Sequence, residues 1–277
     1  MILRRMEQKD GAQAAMLWLD IFGDSEAFTN WFFAERFCPD LSFAAFDGDR
    51  LIAMTLGRST KILVEGAVHR ALLISGVSTL PAYRGRGLMH GLVSMQIDDA
   101  GAKGFSCCYL HPVEESLYAS LGFANGTDAM RISSDPERAH GPYEIREGTD
   151  VASMRAVYDT LLPRYNGMQI RDDAEIHALL SDYGADGFCM LTAFSCDRPV
   201  GYLIVLGDGT VSELFAFTPK AYEALLDEAA RRAGKALKAT VPPDCGVAGE
   251  LVYSMQYRVF GNAFSLPLKN GFCRLSY

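Results

Sequence analysis

Four consecutive residues, Arg84-Gly85-Arg86-Gly87, stand between an apolar run that ends at Pro81 and a helix-like pattern that begins at Leu88. These residue types suit an anion. The first turn of a helix leaves backbone N–H groups unpaired and carries the positive end of the helix dipole. Glycine has no Cβ, so a phosphate can come close to the backbone. Arginine adds charge-assisted hydrogen bonds. The spacing is not that of the nucleotide-hydrolase loop, which needs Gly-x-x-x-x-Gly-Lys-Ser/Thr. Nor is it the dinucleotide fingerprint, because His90 stands where the third glycine belongs. A glycine loop with two solvated arginines is the plainer reading of the same residues.

Other reactive side chains are fewer. Tyr118 precedes Gly122-Phe123 in "LYASLGF". A phenol with a pKa near 10 stays protonated at neutral pH and can give a proton to a leaving group; a packed core tyrosine is the alternative. Cys107 and Cys108 are adjacent, so on a strand they face opposite sides, and core packing suits them better than acyl-enzyme chemistry. No Ser-His-Asp order and no metal-ligand spacing stands out, so no metal is expected.

The elements that must carry these residues are readable from periodicity. Ile2 to Arg5 is a short strand. Ala15, Met16, Leu19 and Phe22 fall at helical spacing. A second helix starts after Asp24 or Ser25 and carries Phe28, Trp31, Phe32 and Phe33. Its aromatic face belongs in the core, and Asp24, Glu26 and Glu35 read as solvated carboxylates that could also attract an amine. "LSFAAFDGDRLIAMTLG" is two strands around a turn at Asp47-Gly48-Asp49. "RALLISGVSTL" is a buried central strand. Met89, Leu92, Val93, Ile97 and Ala100 form a helix, "FSCCYLH" a strand, and "EESLYASLGF" a short helix stopped by Gly122.

The polar stretch Ile132 to Glu147 interrupts this pattern and divides the chain into 1–135 and 142–277. The second part echoes the first. "YEIREGTDVASMRAVYDTLL" resembles the opening strand and helix, and "CDRPVGYLIVLGDG" resembles "GDRLIAMTLG". "FTPKAYEALLDEAARRAG" lies where "STLPAYRGRGLMHGLVSM" lies in the first half, without the Arg-Gly-Arg-Gly turn.

Strand, glycine turn and helix, followed one helix and one strand later by Tyr118-x-x-x-Gly122-Phe123, resemble the GNAT acyltransferase superfamily. With a second GNAT-like half behind them, they are similar to the tandem group related to enhanced-intracellular-survival acetyltransferases. Ala82 stands where the family has arginine or glutamine. The resemblance implies an α/β fold of two tandem GNAT-like domains, each a mixed, mostly antiparallel sheet flanked by helices. Residues 1–135 would be the catalytic domain binding acetyl-CoA, and 142–277 a second domain without the phosphate turn. The third, sterol-carrier-like domain of that group is not expected in this sequence.

The resemblance further implies that the turn residues Arg84, Gly85, Arg86, Gly87, Leu88 and Met89 hold the pyrophosphate of acetyl-CoA. Val77, Ser78 and Thr79 would pair with the pantetheine arm and the acetyl oxygen where the central strand splays from its neighbour. Ser116 is a further candidate contact. Tyr118 would protonate the departing thiolate. An alkyl amine, with a pKa of about 10, must lose a proton before it attacks a thioester. "HRALLISGVSTL" offers no carboxylate for that task. Water, His111 and the terminal carboxylate of Tyr277 are the candidates, the last because related tandem enzymes place theirs in the active site.

Composition sets outer bounds. The 277 residues are 49% hydrophobic and 22% charged, typical of a globular protein. The net charge is −8, and Lys+Arg against Asp+Glu is 13 to 17 in residues 1–140 and again in 141–277. No basic block favours nucleic acid, and a mildly acidic chain suits a cationic small substrate. The seven cysteines, without Cys-x-x-Cys pairs, and the absence of a signal-like start suggest a cytoplasmic protein with reduced thiols. No membrane partner is expected. The expected partner is a small-molecule or peptide amine, and the patterning leaves monomer and homo-oligomer both open. A non-catalytic acetyl-CoA sensor and an aminoacyltransferase of tandem GNAT-like fold are the rival functions.

Overall fold

The computed structural model describes residues 1–138 and 141–273. The first half runs β1 (Ile2–Arg5), α1 (Gly11–Phe22), α2 (Glu26–Glu35), β2 (Phe43–Asp47), β3 (Arg50–Val64), β4 (Ala67–Thr79), α3 (Leu88–Ala102), β5 (Cys107–Leu110) and β6 (Ala124–Ser133). The second half runs β7 (Glu144–Glu147), α4 (Val151–Leu161), α5 (Asp173–Ala185), β8 (Phe188–Ser195), β9 (Arg198–Leu206), β10 (Val211–Ala216), α6 (Pro219–Ala233), β11 (Lys238–Val241) and β12 (Glu250–Val259).

Local chemistry explains most boundaries. Ser25 begins α2, its Oγ accepting from the Phe28 amide at 2.9 Å. Gly23 ends α1 and Gly234 ends α6, both left-handed. The segment Glu115–Leu121 is a 3-10 helix rather than a turn of α-helix, and Gly122 stops it at φ 79°. The central strands are longer than the apolar runs suggest. β3 and β4 form one hairpin that turns at Glu65 and Gly66, both at positive φ, and their outer ends alternate polar and apolar.

The sheets have the orders β1-β2-β3-β4-β5-β12-β6-β11 and β10-β9-β8-β7. All the registered strand pairs are antiparallel except β4–β5. The second half thus lends two strands to the first sheet. β12 inserts between β5 and β6, and β11 pairs with β6 at the edge. Sequence periodicity does not show this exchange, because the partners lie more than a hundred residues apart along the chain.

One face of β4 packs Leu72 and Ile74 against α3. The opposite face, carrying Ala71 and Leu73, meets Tyr109, Tyr257 and Cys273. Tyr109 and Tyr257 stack with centroids 5.6 Å apart. The Tyr109 hydroxyl accepts from Gln169 Nε2 at 2.7 Å and lies 3.0 Å from Thr60 Oγ1. These buried contacts join the two halves, and the hydrogen bonds among Thr60, Tyr109 and Gln169 favour one docking geometry.

Candidate active site

The parallel pairing of β4 and β5 is short. It joins Ala71 to Cys107, Leu72 to Cys108 and Leu73 to Tyr109, and β5 ends at Leu110 while β4 runs on to Thr79. The two strands therefore splay beyond Leu73. A bulge accompanies the splay. The β3 register passes from Leu56↔Ser75 to Met54↔Ser78, so Gly76 and Val77 face Thr55 together. An extra residue of this kind twists a strand and leaves backbone groups out of the ladder.

Gly76 makes the bulge with φ 57°. A Cβ there would lie 2.7 Å from Trp18 Cζ3 and 3.0 Å from Leu56 Cδ1. Trp18 is itself fixed, 4% exposed and donating its indole N–H to Asp24 Oδ2 at 2.7 Å. Helix α1 thus presses on the bulge, and Asp24 is spent on holding Trp18. Ser78 is buried, with its Oγ 3.3 Å from the Gly76 carbonyl oxygen.

Past Thr79 the chain passes through a 3-10 turn, Pro81–Tyr83, into the glycine turn. Gly85 and Gly87 are left-handed, at φ 75° and 73°. A Cβ at either would meet no atom within 4 Å, so the space before them is open. Backbone conformation, not packing, calls for glycine here. Gly87 is the N-cap of α3 and no side chain caps it. The first-turn amides, Leu88 and Met89 among them, are thereby left for an external acceptor. Arg84 donates from Nε to the Thr79 carbonyl at 3.2 Å, and Arg86 from Nη2 to the Ala82 carbonyl at 3.2 Å while lying 5.0 Å over the Tyr83 ring. Both arginines are exposed, and among the described residues no carboxylate is paired to them.

The matching place in the second half is closed. α6 begins with Pro219, and Thr218 caps it, its side chain accepting from the Ala221 amide at 3.2 Å. In that half Arg171 and Glu213 form a buried pair with side chains 2% and 0% exposed, and the Tyr202 hydroxyl donates to Glu213 at 2.8 Å. A helix that caps itself offers an anion little.

Tyr118 lies in the 3-10 helix and is 7% exposed. It packs in one cluster with Val77 of the bulge, Met89 of α3 and Leu110 of β5, and meets Phe123 edge-on at 5.9 Å. Burial raises its pKa above the usual value near 10, so the hydroxyl stays protonated. Among the described residues its hydroxyl makes no hydrogen bond. The expected donors and the glycine turn therefore share one side of the splay.

The remaining candidates divide. Ser116 is exposed and its Oγ is hydrogen-bonded to Glu114 Oε1 at 2.6 Å. His111 follows β5 and is exposed. Tyr277 lies outside the described residues. Cys107 and Cys108 are both fully buried; burial pushes both thiols up, Cys108 to about 12, which withholds the thiolate. Among the described residues no group of three or more His, Cys, Asp or Glu could hold a metal, and no helix is long and apolar enough to cross a membrane.

One group escaped the sequence reading. On the face of β4 away from Tyr118, α5 of the second half packs against α2. Glu175 bridges Arg36 at 3.2 Å and Arg58 at 2.9 Å, and Trp31 Nε1 donates to Ser181 Oγ at 2.9 Å. Asp182, 7% exposed, is pushed up to about 7, chiefly by burial; Arg36 and Arg58 pull it back, while Asp186 and Asp24 add to the rise. No signal in either half foretells the meeting of residues 36, 58, 175 and 182.

Residues 3–126 match the family described as acetyltransferase (GNAT) domain. An uncharacterized N-acetyltransferase of Streptomyces avermitilis is 27% identical over 145 residues, which cover 48% of this chain and 35% of that protein. The alignment thus spans about a third of that relative's length. A probable N-acyltransferase from Enterococcus faecalis has the same fold, with TM-score 0.72 and 16% identity over 93% of this chain and 72% of that one. Eis1 from Mycobacterium abscessus is similar with TM-score 0.65 and 16% identity over 93% of this chain and 73% of that one.

Proposed function

We propose that this protein, whose residues 3–126 match the acetyltransferase (GNAT) domain family, transfers an acetyl group from acetyl-CoA to a primary amine. The observation that carries this reading is the uncapped, left-handed glycine turn, which opens at the same end of the splayed strands as the buried, protonated Tyr118.

The residues present fit acetyl-CoA. The amides of Gly85, Gly87, Leu88 and Met89, with the guanidinium groups of Arg84 and Arg86, would receive the pyrophosphate. The backbone of Val77, Ser78 and Thr79 would line the pantetheine arm and aim an N–H at the thioester oxygen, where negative charge grows as the carbon becomes tetrahedral. The amine nitrogen attacks that carbon, the C–N bond forms, the C–S bond breaks, and the amine proton leaves to water or a base. Tyr118 gives its proton to the sulfur and regains one from solvent. The exposed Ser116, already bonded to Glu114, contributes at most at the rim. The second domain, whose corresponding turn is capped by Thr218, would shape the acceptor side through α5.

The test is calorimetric titration with acetyl-CoA of the wild type and of Gly85→Glu, which sets a negative side chain in the open space of the turn. Binding by the wild type and its loss in the variant are expected. Failure of the wild type to bind acetyl-CoA sinks the proposal.

A further inference from the structure

Tyr118 sits on a segment of low intrinsic stability. Glu115–Leu121 is a 3-10 helix of seven residues, and the Glu114 side chain does not cap it. Such helices seldom pass three or four residues, because their hydrogen bonds are poorly aligned. Among the described residues the Tyr118 hydroxyl makes no hydrogen bond, so ring packing and the path of this helix set where it points.

Strand β12 of the second half reaches both ends of that helix. Gln256, 4% exposed, stands in register with Leu110 of β5 and Asn125 of β6. Leu110 packs in the Tyr118 cluster, while Met255 and Tyr257 on either side of Gln256 turn to the opposite cluster. By alternation Gln256 therefore projects onto the Tyr118 face. Its Nε2 donates to the Glu115 carbonyl oxygen at 3.1 Å and to Asn125 Oδ1 at 2.9 Å, and Asn125 Nδ2 donates to Glu115 Oε2 at 3.0 Å. The three bonds orient one another. A carboxylate only accepts, so it takes the Asn125 nitrogen; Asn125 then turns its oxygen to Gln256, which must answer with its own nitrogen. The first residue of the helix is thus held by backbone and side chain together. At the other end, Arg258 stands opposite Cys108 of β5, on the same face. It lies against Gly122, where a Cβ would come within 2.5 Å of its Nη1 and 3.2 Å of its Cδ.

We propose that Gln256 is a positioning residue for acetyl transfer: through Glu115 it fixes the helix that carries Tyr118, so that the proton donor of the first half depends on a strand of the second. This rests on the acetyltransferase reading above. Gln256 acts through the helix and not on the reacting atoms. Its hydrogen bonds go to Glu115 and Asn125, whereas the glycine turn is carried by β4 and α3, so its loss disturbs proton transfer and spares acetyl-CoA binding. A displacement of about 1 Å at a catalytic group costs up to about 100-fold in rate. The loss in Tyr118→Phe, which removes the hydroxyl altogether, is the upper bound.

The test is Gln256→Leu, which is close in volume and cannot donate. Fluorine NMR with a fluorine on the Tyr118 ring follows the helix, and fluorotryptophan at Trp18 and Trp31 follows the rest of the first half. The Tyr118 signal is expected to shift or broaden while the two tryptophan signals hold. Acetyl-CoA affinity by calorimetry should stay unchanged, while kcat for thiol release from acetyl-CoA, with cadaverine as the amine, should fall about 10–100-fold. In a Tyr118→Phe background Gln256→Leu should cost nothing further, because residues that act as a unit are not additive. An equal loss in both backgrounds, or an unmoved Tyr118 signal, overturns the positioning role. Should Gln256→Leu fail to fold, Asn125→Ala, at a half-buried site, breaks the same ring of bonds and decides by the same readouts. A wild type that does not bind acetyl-CoA overturns the acetyltransferase reading; the fluorine signal needs neither turnover nor acceptor and still decides whether Gln256 holds the helix.

Discussion

Replacing Gly76 by alanine tests whether the bulge is built by sterics. Two costs add. A residue with a Cβ held at φ 57° loses about 1–2 kcal/mol. The new methyl would also lie 2.7 Å from Trp18 Cζ3 and 3.0 Å from Leu56 Cδ1, and overpacking of this kind costs about 1–3 kcal/mol. The sum is about 2–5 kcal/mol. Gly85→Ala is the control. It has the same backbone conformation, φ 75°, with no atom within 4 Å of the added Cβ, so only the first cost, about 1–2 kcal/mol, applies. The assay is urea unfolding followed by tryptophan fluorescence, since both tryptophans, Trp18 and Trp31, lie in the first half. A Gly76→Ala midpoint clearly below that of Gly85→Ala is expected, with weaker acetyl-CoA binding because the Val77–Thr79 backbone shifts. Equal stabilities of the two variants, together with wild-type binding by Gly76→Ala, would refute the idea that α1 forces the bulge.

Three further outcomes are expected. Tyr118→Phe keeps the ring against Phe123 and removes a hydroxyl with no bond among the described residues, so stability should change by less than about 1 kcal/mol while kcat falls about 10²–10⁴-fold; unchanged turnover would remove Tyr118 from the chemistry. Asp182 has a folded pKa raised from 3.8 to about 7, so its favourable contribution, full below pH 4, drains away as pH rises to 7. Asp182→Asn should therefore stabilise more at pH 8 than at pH 5, by about 3 kcal/mol for the two units between pH 5 and 7, and a gain independent of pH in thermal and urea melts would contradict the shift. Arg171→Met strands Glu213 in the core of the second half and should cost about 3–5 kcal/mol by circular-dichroism unfolding, largely recovered by adding Glu213→Leu; no recovery in the double variant would show that the pair does more than neutralise itself.

Much of the proposed donor side was legible in the chain because its determinants are local. Gly85 and Gly87 are needed for left-handed φ, Gly122 stops the short helix, and Ser25 caps α2; each acts over a few neighbouring residues, and short-range chemistry writes itself into short motifs. The echo of the first half in the second was also readable, down to the missing turn before α6, which Thr218 and Pro219 close. What only the tertiary structure decided concerns residues far apart in sequence. The Gly76–Val77 bulge packs against Trp18 from α1. β12 completes the first sheet from the far end of the chain, where its alternating side chains find the edges of β5 and β6. Above all, Arg36, Arg58, Glu175 and Asp182 meet only because α2 packs on α5. Hydrophobic periodicity says which face of a helix is buried but not against which partner, and ionic complementarity across an interface has no period to read. The glycine turn was therefore visible as a motif, and the ionic cluster around Glu175 became visible only when the two halves docked.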